Sequence, residues 1–161
     1  MSDMDIAAEV RKTLADEWLP KIYEQKVRSQ RTRACVLDIP ERANDAEILH
    51  TLLGIELKVG KRRFACPDLA TARYMRVFAR AGCREFAVPY DITKISAIAD
   101  DMETAWQKMM LYFDMRTADL DPSSGSRAKL RLLNGLRREL KAIGAGSAMP
   151  EFRQSTKQRN S

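Results

Sequence analysis

The chain has 161 residues, of which 45% are hydrophobic, 31% charged and 7% aromatic, with seven Gly, six Pro and a formal net charge of +6. These proportions exclude a collagen, a low-complexity chain and wholesale disorder, and the length suits one domain with an appendage. No apolar run approaches the ~18–20 residues of a membrane-spanning helix, and Asp3, Asp5 and Glu9 stand where a signal peptide is basic. The expectation is therefore a cytoplasmic protein with no membrane partner.

In chain order, residues 5–27 read as a helix, because Val10, Leu14, Trp18 and Ile22 recur at steps of four. Pro20 should kink or restart it. Residues 34–39 are short, β-prone and closed by Pro40, which predicts a strand. Asn44 and Glu47 have capping-box spacing, Ile48, Leu49, Leu52 and Leu53 share a helical face, and Gly54 suits a helix terminus, so residues 44–53 are expected to be helical. Gly60-Lys61 between two apolar-alternating runs predicts a type II′ hairpin. In that register Val59 faces Arg62, Leu57 faces Phe64 and Ile55 faces Cys66. These residues point inward, while Glu56, Lys58 and Arg63 share the outer face.

Pro67 and Asp68 open a helix that should end at Gly82, and residues 84–88 form a strand stopped or marked as an edge by Pro89. Asp91 caps a long helix over 92–115, whose buried side carries Ile95, Ile98, Met102, Trp106, Met109 and Phe113. Residues 122–126 have linker composition. Leu132, Leu133, Leu136, Leu140 and Ile143 then stripe a last basic helix within 127–146, and 147–161 is a polar tail expected to be disordered. The implied fold is α+β. Its four-stranded, mostly antiparallel sheet has β-α-β-β-α-β order, the split βαβ of ferredoxin-like proteins, within a compact domain over 1–121.

Charge is unevenly placed. Residues 1–121 hold 19 Lys/Arg against 20 Asp/Glu, a balance of −1, whereas residues 122–161 hold nine against two, a balance of +7. A neutral body with a basic end steers toward a polyanion, either nucleic acid or an acidic protein surface. The cations of the last helix are Arg127, Lys129, Arg131, Arg137, Arg138 and Lys141. Arg73, Arg76 and Arg80 recur at i, i+3, i+7 on an earlier helix and form a second phosphate-reading stripe, with acids such as Asp100, Asp101 or Glu103 as the competing partners.

Cys35, Cys66 and Cys83 are odd in number, widely spaced and without a C-x-x-C, which predicts reduced thiols rather than a zinc site with His50. Gly54 and Gly60-Lys61-Arg62 lack P-loop spacing, and His50, the sole histidine, lies off the apolar face, so no cofactor and no catalytic triad are expected.

Asp38 at a strand end, followed by Glu56-Leu-Lys58 on the next strand, resembles the PD-(D/E)xK nucleases over roughly residues 5–90. The resemblance implies two carboxylates on Mg²⁺ and a Lys on the attacked phosphate. The sequence departs from that pattern through the helix expected between the two strands.

Three functions follow. The leading one is a non-enzymatic nucleic-acid-binding module, RNA favoured because split-βαβ sheets are common RNA platforms, using the basic helix and the Arg73/Arg76/Arg80 stripe. A second is an assembly component, homodimer or subunit, using amphipathic helices and the methionines Met102, Met109, Met110 and Met115. The third is the metal-dependent nuclease with Asp38, Glu56 and Lys58.

Overall fold

The computed structural model describes residues 3–145. Its first helix, α1 (Asp3–Leu14), stops at Ala15, whose φ of 49° is left-handed. The chain restarts as the short α2 (Leu19–Ile22), with extended Trp18 as N-cap and Pro20 in the first turn, and runs on through a π turn at Tyr23–Val27. Pro20 thus sits where a missing N–H is harmless, and the expected restart is present. The stripe Val10, Leu14, Trp18, Ile22 is buried throughout.

Four strands follow without an intervening helix: β1 (Thr32–Val36), β2 (Ala46–Thr51), β3 (Gly54–Val59) and β4 (Arg62–Cys66). The helix expected over 44–53 is therefore a strand. Ala46 and Ile48 lie opposite Val59 and Leu57, so β2 covers an edge of β3 that a helix would leave unpaired. Leu52 and Leu53 form the two-residue tip of that hairpin and are fully exposed. Gly54, at φ 126°, serves the turn. Asn44 caps no helix at its own position; its Nδ2 donates to the carbonyls of Pro40, Arg42 and Ala79.

The β3–β4 hairpin has the expected register, with Val59 opposite Arg62, Leu57 opposite Phe64 and Ile55 opposite Cys66. Gly60 has φ 61° and Lys61 does not, the sign pattern of a type II′ turn.

The helix α3 (Leu69–Ala81) begins at Asp68, whose Oδ1 accepts from Thr71 N at 2.7 Å, and ends at left-handed Gly82. It lies against β2 and β3. Next come β5 (Glu85–Pro89), which pairs antiparallel with β1, and α4 (Ile95–Arg116). The chain is α+β, but the single four-stranded sheet of the ferredoxin-like expectation is replaced by a three-stranded meander β2-β3-β4 and a separate pair β1-β5.

The inner edge of β5 shows why the second sheet stops at two strands. Tyr23 Oη accepts from Ala87 N at 2.7 Å, and Tyr74 Oη donates to Ala87 O at 2.6 Å. Two buried tyrosines thereby satisfy the groups that a third strand would otherwise take. Around them Phe78 stacks on Phe86 with centroids 4.3 Å apart, and Tyr23 and Tyr74 pack against Phe78 at 5.3 and 5.1 Å.

The last helix, α5 (Pro122–Ile143), starts earlier than expected. The segment 122–126 is its first turn, with Asp121 Oδ2 accepting from Ser124 N and Pro122 at the first helical position. Asp-Pro is a helix-start signal as much as a linker signal. Ala128, Leu132, Leu133, Leu136 and Leu140 are buried, and α5 packs on α1. The basic helix is part of the core rather than an appendage lying free of it. The tail expected over 147–161 lies outside the described residues.

Candidate nucleic-acid interface

On α3 the arginine stripe splits. Arg73 donates from Nε and Nη2 to Glu103 Oε1 at 3.2 and 2.8 Å and also bonds Asp100, while Arg76 Nη2 reaches Glu103 Oε2 at 2.9 Å. Burial raises the Glu103 pKa, but the hydrogen bonds from Arg73 and Arg76 outweigh it and hold the group below its ordinary value. These two arginines are occupied by the acids of α4. Arg76 Nε is buried with no acceptor among the described residues. Arg80, one turn on, enters no ion pair among the described residues and is only half-buried.

On α5 the leucine stripe turns the cations outward. Arg127, Arg131 and Arg138 recur at i, i+4, i+11 on one exposed face. Arg127 donates to Ser123 Oγ and Ser124 Oγ at 2.8 and 3.2 Å and enters no ion pair among the described residues, though its charge helps lower the pKa of Asp121. Arg138 and Lys129 are exposed and enter no ion pair among the described residues. The other two work inward: Arg137 Nε donates to the α3 carbonyl of Ala81 at 2.8 Å, and Lys141 pairs with Glu41 at 2.7 Å. Glu139, the one acid of α5, is also turned inward, accepting from Arg11 Nε at 2.8 Å and Trp18 Nε1 at 3.0 Å. On the outer face, Arg127 and Arg138 thus have no acid of α5 beside them.

The residues of the nuclease arrangement are dispersed among arginines. Asp38 lies beyond the end of β1, exposed, bonded to Arg62 and 3.7 Å from Arg84. Glu56 pairs with Arg63 at 3.4 Å on the outer face of the β3–β4 hairpin, and Lys58 stands opposite Glu47. The described residues contain no group of three or more His, Cys, Asp or Glu that could hold a metal ion. Burial pushes the Cys83 thiol up to about 12 and those of Cys35 and Cys66 upward, which opposes thiolate chemistry. His50 is exposed as expected, though on a strand.

Between α5 and the β2–β3 hairpin lies an open groove of about 740 Å³. Its cations are Lys58, Arg80 and Lys129; its apolar lining includes Trp106 and Met110 of α4 and Leu133 of α5; Asp45 and Glu47 supply its acids. The apolar spacing of α4 places Trp106 on its core stripe, yet it is only half-buried. A 3.6-residue period marks a face and does not separate a sealed position from one at the mouth of a groove. The four methionines expected to form an adaptable surface do not share one: Met102 and Met109 are core, Met110 is half-buried and Met115 is exposed. No protein-family model, curated protein or solved structure matches this chain.

Proposed function

We propose that the chain is a binding module for nucleic acid, engaging the phosphate backbone through the outer face of α5. The observation that carries this reading is the row Arg127, Arg131 and Arg138 on one exposed face of α5, of which Arg127 and Arg138 enter no ion pair among the described residues. Such a row neutralises phosphates and releases condensed counterions, so binding should weaken steeply with salt. The preference for RNA drew on a split-βαβ sheet that the fold does not contain, so the proposal is for nucleic acid as a class. Arg73 and Arg76 of the α3 stripe are not retained as contacts, since both are committed to Glu103, and Arg80 lines the groove and not the outer face of α5.

The test is fluorescence anisotropy of labelled RNA and DNA across a salt series. Replacing Arg127 and Arg138 with Gln should reduce the slope of log affinity against log salt by about 1.5–2, given roughly 0.7–0.9 per phosphate contact. Unmeasurable binding of both nucleic acids at about 50 mM salt, or an unchanged slope, would sink the proposal.

A second reading, assembly through apolar contacts, draws on Leu111 and Met115, spaced i, i+4 on α4 and 64% and 66% exposed. Light scattering checks it: a monomer at all accessible concentrations, and no partner retained from nuclease-treated extract, would remove it.

A further inference from the structure

We propose that the groove between α5 and the β2–β3 hairpin receives one unstacked nucleotide of a single strand, its base on Trp106 and its phosphate at Arg80. The inference rests on the nucleic-acid reading above and adds to it the strandedness of the ligand.

Three observations converge on this groove. Arg80 is the member of the α3 stripe left over when Glu103 and Asp100 have been shared by Arg73 and Arg76. Burial lowers its pKa and the neighbouring Arg76 charge lowers it further, Glu103 and Asp45 offset these effects only in part, and an anion placed there would offset more. Trp106 is half-buried, and its indole N–H makes no hydrogen bond among the described residues, whereas Trp18 is sealed in the core and donates to Glu139. An indole face at the wall of a charged groove suits base stacking, which is indifferent to base identity.

Size and charge also fit. About 740 Å³ falls within the roughly 300–1,000 Å³ of small-ligand sites. Three cations (Lys58, Arg80, Lys129) against two acids (Asp45, Glu47) leave a local balance of +1. That balance accepts one phosphate and not a run of them, so the extended backbone stays on the outer face of α5. A duplex keeps its bases stacked inside and offers Trp106 no ring face, which makes the groove selective for single strands.

The experiment uses the full chain, a short fluorescein-labelled oligouridylate and an RNA duplex of equal length. Arg80→Gln and Trp106→Leu should each weaken single-strand binding by about tenfold and leave duplex binding unchanged, while Arg127→Gln with Arg138→Gln weakens both. Arg80→Lys and Trp106→Phe, which keep the charge and the aromatic face, should bind nearly as the parent does. Tryptophan emission should be quenched by the oligonucleotide in the parent and not in Trp106→Phe.

If Arg80→Gln and Trp106→Leu bind the single strand as the parent does, with no quenching, the groove assignment is overturned while the outer-face reading survives. If neither nucleic acid binds the parent, both fail. Binding of polyglutamate in place of either strand would also overturn both and assign the basic face to an acidic protein.

Discussion

Gly82 and Gly60 both hold a left-handed backbone, at φ 82° and 61°, yet their surroundings differ. A Cβ on Gly82 would lie 2.3 Å from the carbonyl oxygen of Arg42, while one on Gly60 would meet nothing within 4 Å. Gly60→Ala should therefore lose only the conformational term, about 1 kcal/mol, whereas Gly82→Ala should lose more than about 2 kcal/mol because the loop over α3 must also shift. Urea denaturation of the two variants checks the difference, and equal losses would show that the Arg42 loop yields freely.

Glu103 gives a pH-dependent expectation at the same scale. Its folded pKa lies below the ordinary value of 4.5, so its contribution is fully present above pH 4.5 and is lost as pH falls through the folded value. Glu103→Gln should cost about 1–2 kcal/mol at neutral pH, because Arg73 and Arg76 lose a charged acceptor. The gap between variant and parent should narrow as acid protonates the parent. A gap independent of pH from 7 to 3, in the roughly 1–2 kcal/mol range, would mean that the loss is packing and not charge.

At the scale of elements, the inner edge of β5 depends on two side chains in place of a strand. Tyr23 Oη accepts from Ala87 N and donates to Gly144 O at 2.6 Å, so it joins β5 to the end of α5. Tyr23→Phe should cost about 1–3 kcal/mol, since it strands a buried N–H and a carbonyl together. Burial also raises the Tyr23 pKa to about 12, so the hydroxyl remains a donor well past neutrality. Stability linked to it is intact below the ordinary value of 10.0 and is lost as pH rises toward 12. The docking of α5 is tested by Leu136→Ala, a fully buried site where ~2–5 kcal/mol is expected. Thermal unfolding should remain one transition at lower temperature. A second, separate transition would restore α5 to the status of an appendage.

For the whole molecule, the partition of charge and the partition of packing do not coincide. The last quarter carries the positive excess, yet its helix supplies five buried residues to the common core. Removing residues 122–161 would consequently unfold the protein and say nothing about its ligand; surface substitutions separate the two roles. Arg127→Gln with Arg138→Gln should leave stability within about 0.5 kcal/mol of the parent, as for other surface sites, while weakening polyanion binding. Melting curves alongside the anisotropy series check both halves of that expectation.

Local chemistry made much of this chain legible in its sequence. The type II′ hairpin and its register followed from Gly60-Lys61 and strict alternation, the end of α3 from Gly82, and the long α4 from its apolar spacing, because each depends on residues within one or two turns. The unequal charge of the two parts was likewise readable by counting. What the tertiary structure decided were choices between two locally acceptable answers. Residues 46–51 became a strand because β3 offered an edge to pair with, and residues 122–126 joined a helix because the leucines beyond them found a core. Arg73 and Arg76 are engaged by Glu103, a residue thirty and twenty-seven positions away, while Arg80 beside them enters no ion pair among the described residues. No periodicity can separate those three arginines, since they share one helical face; only the position of α4 across from it does.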